Sequence, residues 1–216
     1  MTKHFINLDD LSTNDLTQII DNAIELKQQH KSGVINKTLE SKTLAMIFDK
    51  SSTRTRVSFE TGMTQLGGHA LFLSDRDIQI GRGEPIVDTA IVISSMVDAV
   101  MLRVSSHDDI NTFAQHSSVP IINALSDESH PCQLLADMMT YQEHNGSISG
   151  KTVAWVGDGN NMCHTYMQAA KAFGFTLNIA TPEGYEPNKN FIEKYSDCIN
   201  LYTDASLACK EADLVV

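Results

Sequence analysis

The sequence predicts an α/β fold made of two doubly wound parallel-sheet domains, the second incomplete. Two observations predict it. Short apolar runs of strand length alternate along the chain with amphipathic stretches of helical spacing. A polar, glycine-bearing break at residues 145–150 (NGSISG) separates a long helix from a new strand. It divides the chain into a first domain over residues 1–145 and a second over 150–216. At 216 residues the chain is long for one average domain and short for two, and its 42% hydrophobic content suffices for a sizeable core.

The opening element is a helix. Ser12 to Asp15 has the spacing of a capping box, and Leu16, Ile19, Ile20, Ala23 and Ile24 then form one apolar face, giving a helix to about Lys31. Residues 43–48 (TLAMIF) have the length and apolar content of a buried strand. Phe59, Met63 and Leu66 recur at helical spacing behind it, so a helix runs over residues 53–66 with Ser52 as its N-cap. Gly67–Gly68 stops that helix, and a short strand at 69–73 follows.

The junction between that first strand and its helix, KSSTRTRVSFE at residues 50–60, reads as a phosphate cradle. A helix begun there offers unpaired backbone N–H groups and the positive end of its dipole. Ser51, Ser52, Thr53 and Thr55 add hydroxyl donors, and Arg54 adds a planar fork suited to phosphate oxygens. Arg56 either does the same or pairs with an acidic neighbour. A capped surface helix with solvated arginines is the bland alternative; four hydroxyls and two arginines at one junction favour the anion site.

Residues 74–85 (SDRDIQIGRGEP) form a polar loop of a length that is either functional or a plain connector. Pro85 suits the first turn of a helix whose face is Ile86, Ala90, Ile93 and Val97. A buried strand at 99–104 places Arg103 near its carboxyl end, where α/β proteins bind ligands; a structural salt bridge is the competing use. A short helix at 107–117 and a strand at 120–125 follow. Pro131 then opens a helix whose buried face is Leu134, Leu135, Met138 and Met139. His130 therefore sits at a strand-to-helix turn, where it is either a loop residue or a donor to a carbonyl oxygen that gains charge during acyl transfer. Gln133 can offer an amide to a substrate, while Cys132 has no neighbour that marks it as a reactive thiolate.

Beyond the break, a strand at 152–156 leads into GDGNNMCHT. A dinucleotide fingerprint would need glycine at Met162, so that reading fails. Cys163 and His164 are adjacent and too few to hold a metal. A strand at 176–180, a helix near 187–195, a strand at 201–204, a helix near 205–212 and the start of a strand at 213–216 continue the alternation.

The formal net charge of −11 and pI of about 5.0 exclude nucleic acid and anionic membranes as partners. An acidic chain that binds an anion must gather positive charge locally, which Lys50, Arg54, Arg56 and Arg103 do. No stretch approaches transmembrane length, the first fifteen residues lack the apolar core of a signal peptide, and cysteines 132, 163, 198 and 209 show no zinc-ribbon spacing. The expectation is a cytoplasmic protein with free thiols.

Taken together, SSTRTRVSFE, MLR at 101–103, HPCQ at 130–133 and VGDGNNM at 156–162 resemble, in this order, the motifs of the aspartate and ornithine carbamoyltransferases. Cys132, Val57 and the pair Asn160 and Asn161 resemble the ornithine branch. The resemblance implies the two-domain carbamoyltransferase fold, a homotrimer or a multiple of it, and transfer of a carbamoyl group from carbamoyl phosphate to L-ornithine in arginine biosynthesis. Other acceptors, aspartate or putrescine, and a non-catalytic phosphate-binding protein are the alternatives. It implies no metal and no organic cofactor. By resemblance Arg54, Arg103 and His130 are catalytic; Ser52, Thr53, Arg54, Thr55, Gln79, Arg103, His130, Pro131, Cys132 and Gln133 bind carbamoyl phosphate; and Asn161 binds ornithine, with Asn160 as the turn residue beside it. The family's second domain runs on for roughly another hundred residues, about one small domain, so the chain is expected to be C-terminally truncated.

Overall fold

The structure is a computed structural model and describes residues 2–74 and 84–216. The chain divides into two compact units. One holds the segment ending at Ile6 together with Asn22–Asp127, the other Asn7–Asp21 with Glu128–Val216.

The first unit is a parallel sheet covered on both faces. Its strands are β1 (Thr43–Phe48), β2 (His69–Ser74), β3 (Ala99–Arg103) and β4 (Ile121–Leu125), in the order β2-β1-β3-β4. Its helices are the later part of α1 (Thr13–Lys31), α2 (Thr53–Gln65), α3 (Ile86–Ser94) and α4 (His107–His116). Alternate residues of a strand point to opposite faces, so β1 and β3 feed two cores. Ala45, Ile47, Val100 and Leu102 pack with Ala90, Ile110 and Phe113 of α3 and α4. Leu44, Met46, Phe48 and Met101 pack with Met63 and Phe59 of α2. The register sets Phe48 opposite Arg103, so the turn after β1 and the end of β3 share one edge of the sheet.

One addition is invisible in the local pattern. Phe5 bridges Ile122 in parallel, its N–H donating to the Ile121 carbonyl at 2.8 Å and its carbonyl accepting from Asn123 N at 2.8 Å. The segment thereby covers the outer edge of β4, which would otherwise present unpaired backbone.

The second unit carries β5 (Thr152–Val156), β6 (Thr176–Ala180), β7 (Ile199–Tyr202) and β8 (Leu214–Val215), all parallel in the order β7-β6-β5-β8. Its helices are α5 (Pro131–Asn145), α6 (Asn161–Phe173), α7 (Lys189–Lys194) and α8 (Ala205–Cys209), with the start of α1. Gly174 ends α6 in the left-handed conformation at φ 72°, which suits a residue without Cβ. A 3-10 turn at Leu8–Asp10 anchors residues 7–21 to this unit: Leu8 N donates to Gln168 Oε1 at 3.1 Å, and Tyr195 OH donates to Asp9 Oδ2 at 2.6 Å.

One expectation shifts. The strand expected at 201–204 lies at Ile199–Tyr202, because Asp204 instead caps α8 by accepting from Ser206 N at 2.8 Å. The compact units do not follow the linker at 145–150: α5 and residues 7–21 pack with the second sheet. The reason is tertiary: Tyr166 of α6 donates to Asp137 of α5 at 3.0 Å, and Gln142 of α5 donates to Asp21 of α1 at 2.9 Å.

Candidate active site

The first cluster lies at the carboxyl edge of the first unit's sheet. Ser52 caps α2, its Oγ accepting from Thr55 N at 3.4 Å and donating to Thr55 Oγ1 at 3.1 Å. Arg103 Nη1 donates to the same Thr55 oxygen at 3.3 Å. Thr55 Oγ1 thus accepts twice, which leaves its own proton for an outside acceptor. No acidic residue stands in the first turn of α2, so the positive end of the helix is not neutralised there.

Charge accumulates at this edge. Burial lowers the Arg103 pKa below its ordinary value, with Asp49 pulling it back up and Arg54 pushing it down by repulsion. Arg103 Nε is buried and has no hydrogen-bond partner among the described residues. Two guanidiniums that repel one another beside hydroxyl donors make a place for an anion. Asp49, which sequence reasoning passed over, also accepts from Ser105 N at 2.6 Å and steadies the turn after β3. Arg56 takes the second of its two expected uses. Its Nε pairs with Glu60 at 2.9 Å and its guanidinium lies 3.8 Å from the Phe72 ring centroid.

A second cluster lies in the second unit, where α5 and α6 begin. His130 precedes α5 as its N-cap and Pro131 opens the helix. His130 N donates to Thr165 Oγ1 at 2.9 Å, and that hydroxyl donates to the Asn161 carbonyl at 2.6 Å. Asn160 caps α6, its Oδ1 accepting from Met162 N at 2.9 Å and Cys163 N at 3.3 Å. Gly159 is required there by close approach, since a Cβ would collide with the Glu186–Pro187 backbone. Gln133 Nε2 donates to Asp137 Oδ1 at 2.9 Å. Burial pushes the Cys132 thiol up to about 12, so it is a neutral group at physiological pH.

Thr53, Arg54 and Gln133 are exposed, and Ser52 and Thr55 are half-buried. Gln79 lies outside the described residues. Thr165 was missed, although a threonine four residues after Asn161 has the spacing to bond back to its carbonyl. Asp137 and Tyr166 carry no local signal. His164 is structural: its Nε2 accepts from Asn188 N at 3.1 Å and its ring stacks on Phe191 at 4.2 Å. Among the described residues no three His, Cys, Asp or Glu side chains are grouped to hold a metal ion, and no helix is long and apolar enough to cross a membrane.

Comparison with known proteins gives a consistent likeness. Residues 3–143 match the aspartate/ornithine carbamoyltransferase carbamoyl-P binding domain, and residues 149–216 match the Asp/Orn binding domain of the same family. The chain is 77% identical to an ornithine carbamoyltransferase of Ruthia magnifica over 100% of its own length and 72% of that protein's. It is 59% identical to one from Hydrogenovibrio crunogenus, over 99% and 71% respectively. The crystal structure of ornithine carbamoyltransferase from Burkholderia thailandensis superposes with a TM-score of 0.95 at 49% identity, covering 99% of this chain and 74% of that one.

Proposed function

The chain belongs to the aspartate/ornithine carbamoyltransferase family, and from that premise we propose that it transfers the carbamoyl group of carbamoyl phosphate to the δ-amine of L-ornithine, giving L-citrulline and phosphate. The observation that carries the choice of acceptor is the 77% identity, over the whole chain, to a protein named ornithine carbamoyltransferase.

Roles follow from the chemistry of each group. Ser52, Thr53, Arg54, Thr55 and Arg103 hold the phosphate and neutralise the charge that grows on it as it leaves. The neutral δ-amine attacks the carbonyl carbon, and the tetrahedral intermediate places negative charge on the carbonyl oxygen. Arg103 and His130 polarise that oxygen. Gln133 engages the carbamoyl amide, with Pro131 and Cys132 shaping the turn that carries it. Asn161 offers neutral donors and acceptors to the amino-acid end of ornithine. The leaving group is already activated, so positioning and electrostatics supply the catalysis without a cofactor. The same reading carries arginine biosynthesis, a cytoplasmic location, a homotrimer and a carbamoyl-phosphate half over residues 1–145. These rest on the family likeness.

The test is an acceptor comparison. Carbamoyl phosphate is supplied with ornithine, aspartate or putrescine, and carbamoylated product is measured beside ligand-induced thermal shift. Citrulline from ornithine alone supports the reading; product from aspartate or putrescine in its place overturns it.

A further inference from the structure

Gln133 Nε2 donates to Asp137 Oδ1 at 2.9 Å. A carboxylate only accepts, so this contact sets the sense of the amide: nitrogen toward Asp137, carbonyl oxygen away from it. A glutamine and an aspartate four apart on a helix surface hold each other weakly when left to themselves. Here the aspartate is anchored. Tyr166 OH donates to its other oxygen at 3.0 Å, and the Tyr166 ring is buried at 5.6 Å from Trp155. Burial and the Asp137 charge both push the Tyr166 phenol up, so it remains a proton donor. Gln133 itself is exposed, and its Oε1 takes no hydrogen bond among the described residues.

We propose that Asp137, locked by Tyr166, is a positioning residue that fixes Gln133 as a hydrogen-bond acceptor and so selects a carbamoyl NH2 over the methyl of an acyl phosphate. This rests on the function proposed above. A site with a committed acceptor rejects a ligand that offers no donor, because the acceptor is then left unpaired. Carbamoyl phosphate and acetyl phosphate differ at that group alone, which makes their affinity ratio the quantity Asp137 controls.

The experiment titrates carbamoyl phosphate, acetyl phosphate and inorganic phosphate calorimetrically into the unaltered chain, Asp137→Asn and Tyr166→Phe. An asparagine keeps the volume but meets Gln133 in either sense, which lets the amide flip. Asp137→Asn should weaken carbamoyl phosphate about five- to tenfold, the worth of one hydrogen bond, with the other two ligands held within about twofold. Tyr166→Phe should move the ratio the same way by less. A parallel loss for all three ligands would assign Asp137 a purely structural role and overturn the proposal, as would an unchanged ratio. Failure of the functional reading looks different: the unaltered chain would then bind carbamoyl and acetyl phosphate alike, and the proposal would fall with it.

Discussion

Thr165 Oγ1 lies 2.9 Å from the backbone nitrogen of His130 and accepts its proton, while donating its own to the Asn161 carbonyl at 2.6 Å. One fully buried hydroxyl therefore ties the turn proposed to engage the carbamoyl group to the turn proposed to engage ornithine. Thr165→Val keeps the shape and removes the hydroxyl that accepts from the His130 N–H, a loss of about 1–3 kcal/mol. Thr165→Ser should restore most of it. Urea unfolding midpoints of the two variants decide the matter, and equal midpoints would remove the relay from the account.

Arg54 and Arg56 stand two residues apart but should behave differently. Arg54→Ala removes a cation whose charge is felt at Arg103 and should cost about 2–4 kcal/mol in carbamoyl phosphate affinity. Arg56→Ala loses an exposed ion pair and a ring contact, about 1 kcal/mol of stability, and leaves that affinity alone. Calorimetric titration of both variants checks the contrast; undiminished binding by Arg54→Ala would sink the cradle.

Acid should weaken the second unit through His164. Burial holds its pKa below the ordinary 6.5, against the pull of Glu128 and Asp158. Because the unfolded chain takes up the proton at higher pH than the folded one, stability is fully present above about 6.5 and falls as pH drops from there toward the lowered folded value. Protonation also removes the lone pair that accepts from Asn188 N. His164→Gln, which retains an acceptor without titrating, should show a flatter decline in denaturant midpoint between about pH 7 and pH 5. A parallel decline in both proteins would clear His164 of the effect.

Gly159→Ala should destabilise by about 1–3 kcal/mol, since the added methyl must displace the Glu186–Pro187 backbone rather than a flexible side chain. The neighbouring Asn160 cap and Asn161 move with it. Thermal melting reads the first effect and ornithine affinity the second; an unchanged melting temperature would mean that the loop yields freely.

Much of the fold was legible in the sequence because its signals are local. The apolar run at Thr43–Phe48, the alternation of strands and helices, the capping box at Ser12 and Asp15, and the Ser52 cap all depend on residues a few positions apart. The misplaced strand near Leu201 shows the limit. Asp204 reads equally well as a strand end or a helix cap, and pairing with β6 decided between them.

By itself the sequence determined the α/β class and the residue types gathered at the turn after β1 and at the turns before α5 and α6. Tertiary structure alone decided that Arg103 meets Thr55, that Arg56 lies against the Phe72 ring, and that Thr165 and Tyr166 brace His130 and Asp137. These contacts join residues 48, 35 and 29 positions apart in the cases of Arg103 with Thr55, His130 with Thr165 and Asp137 with Tyr166. Strand register and helix packing create such neighbours, and no periodicity within a single segment can express them.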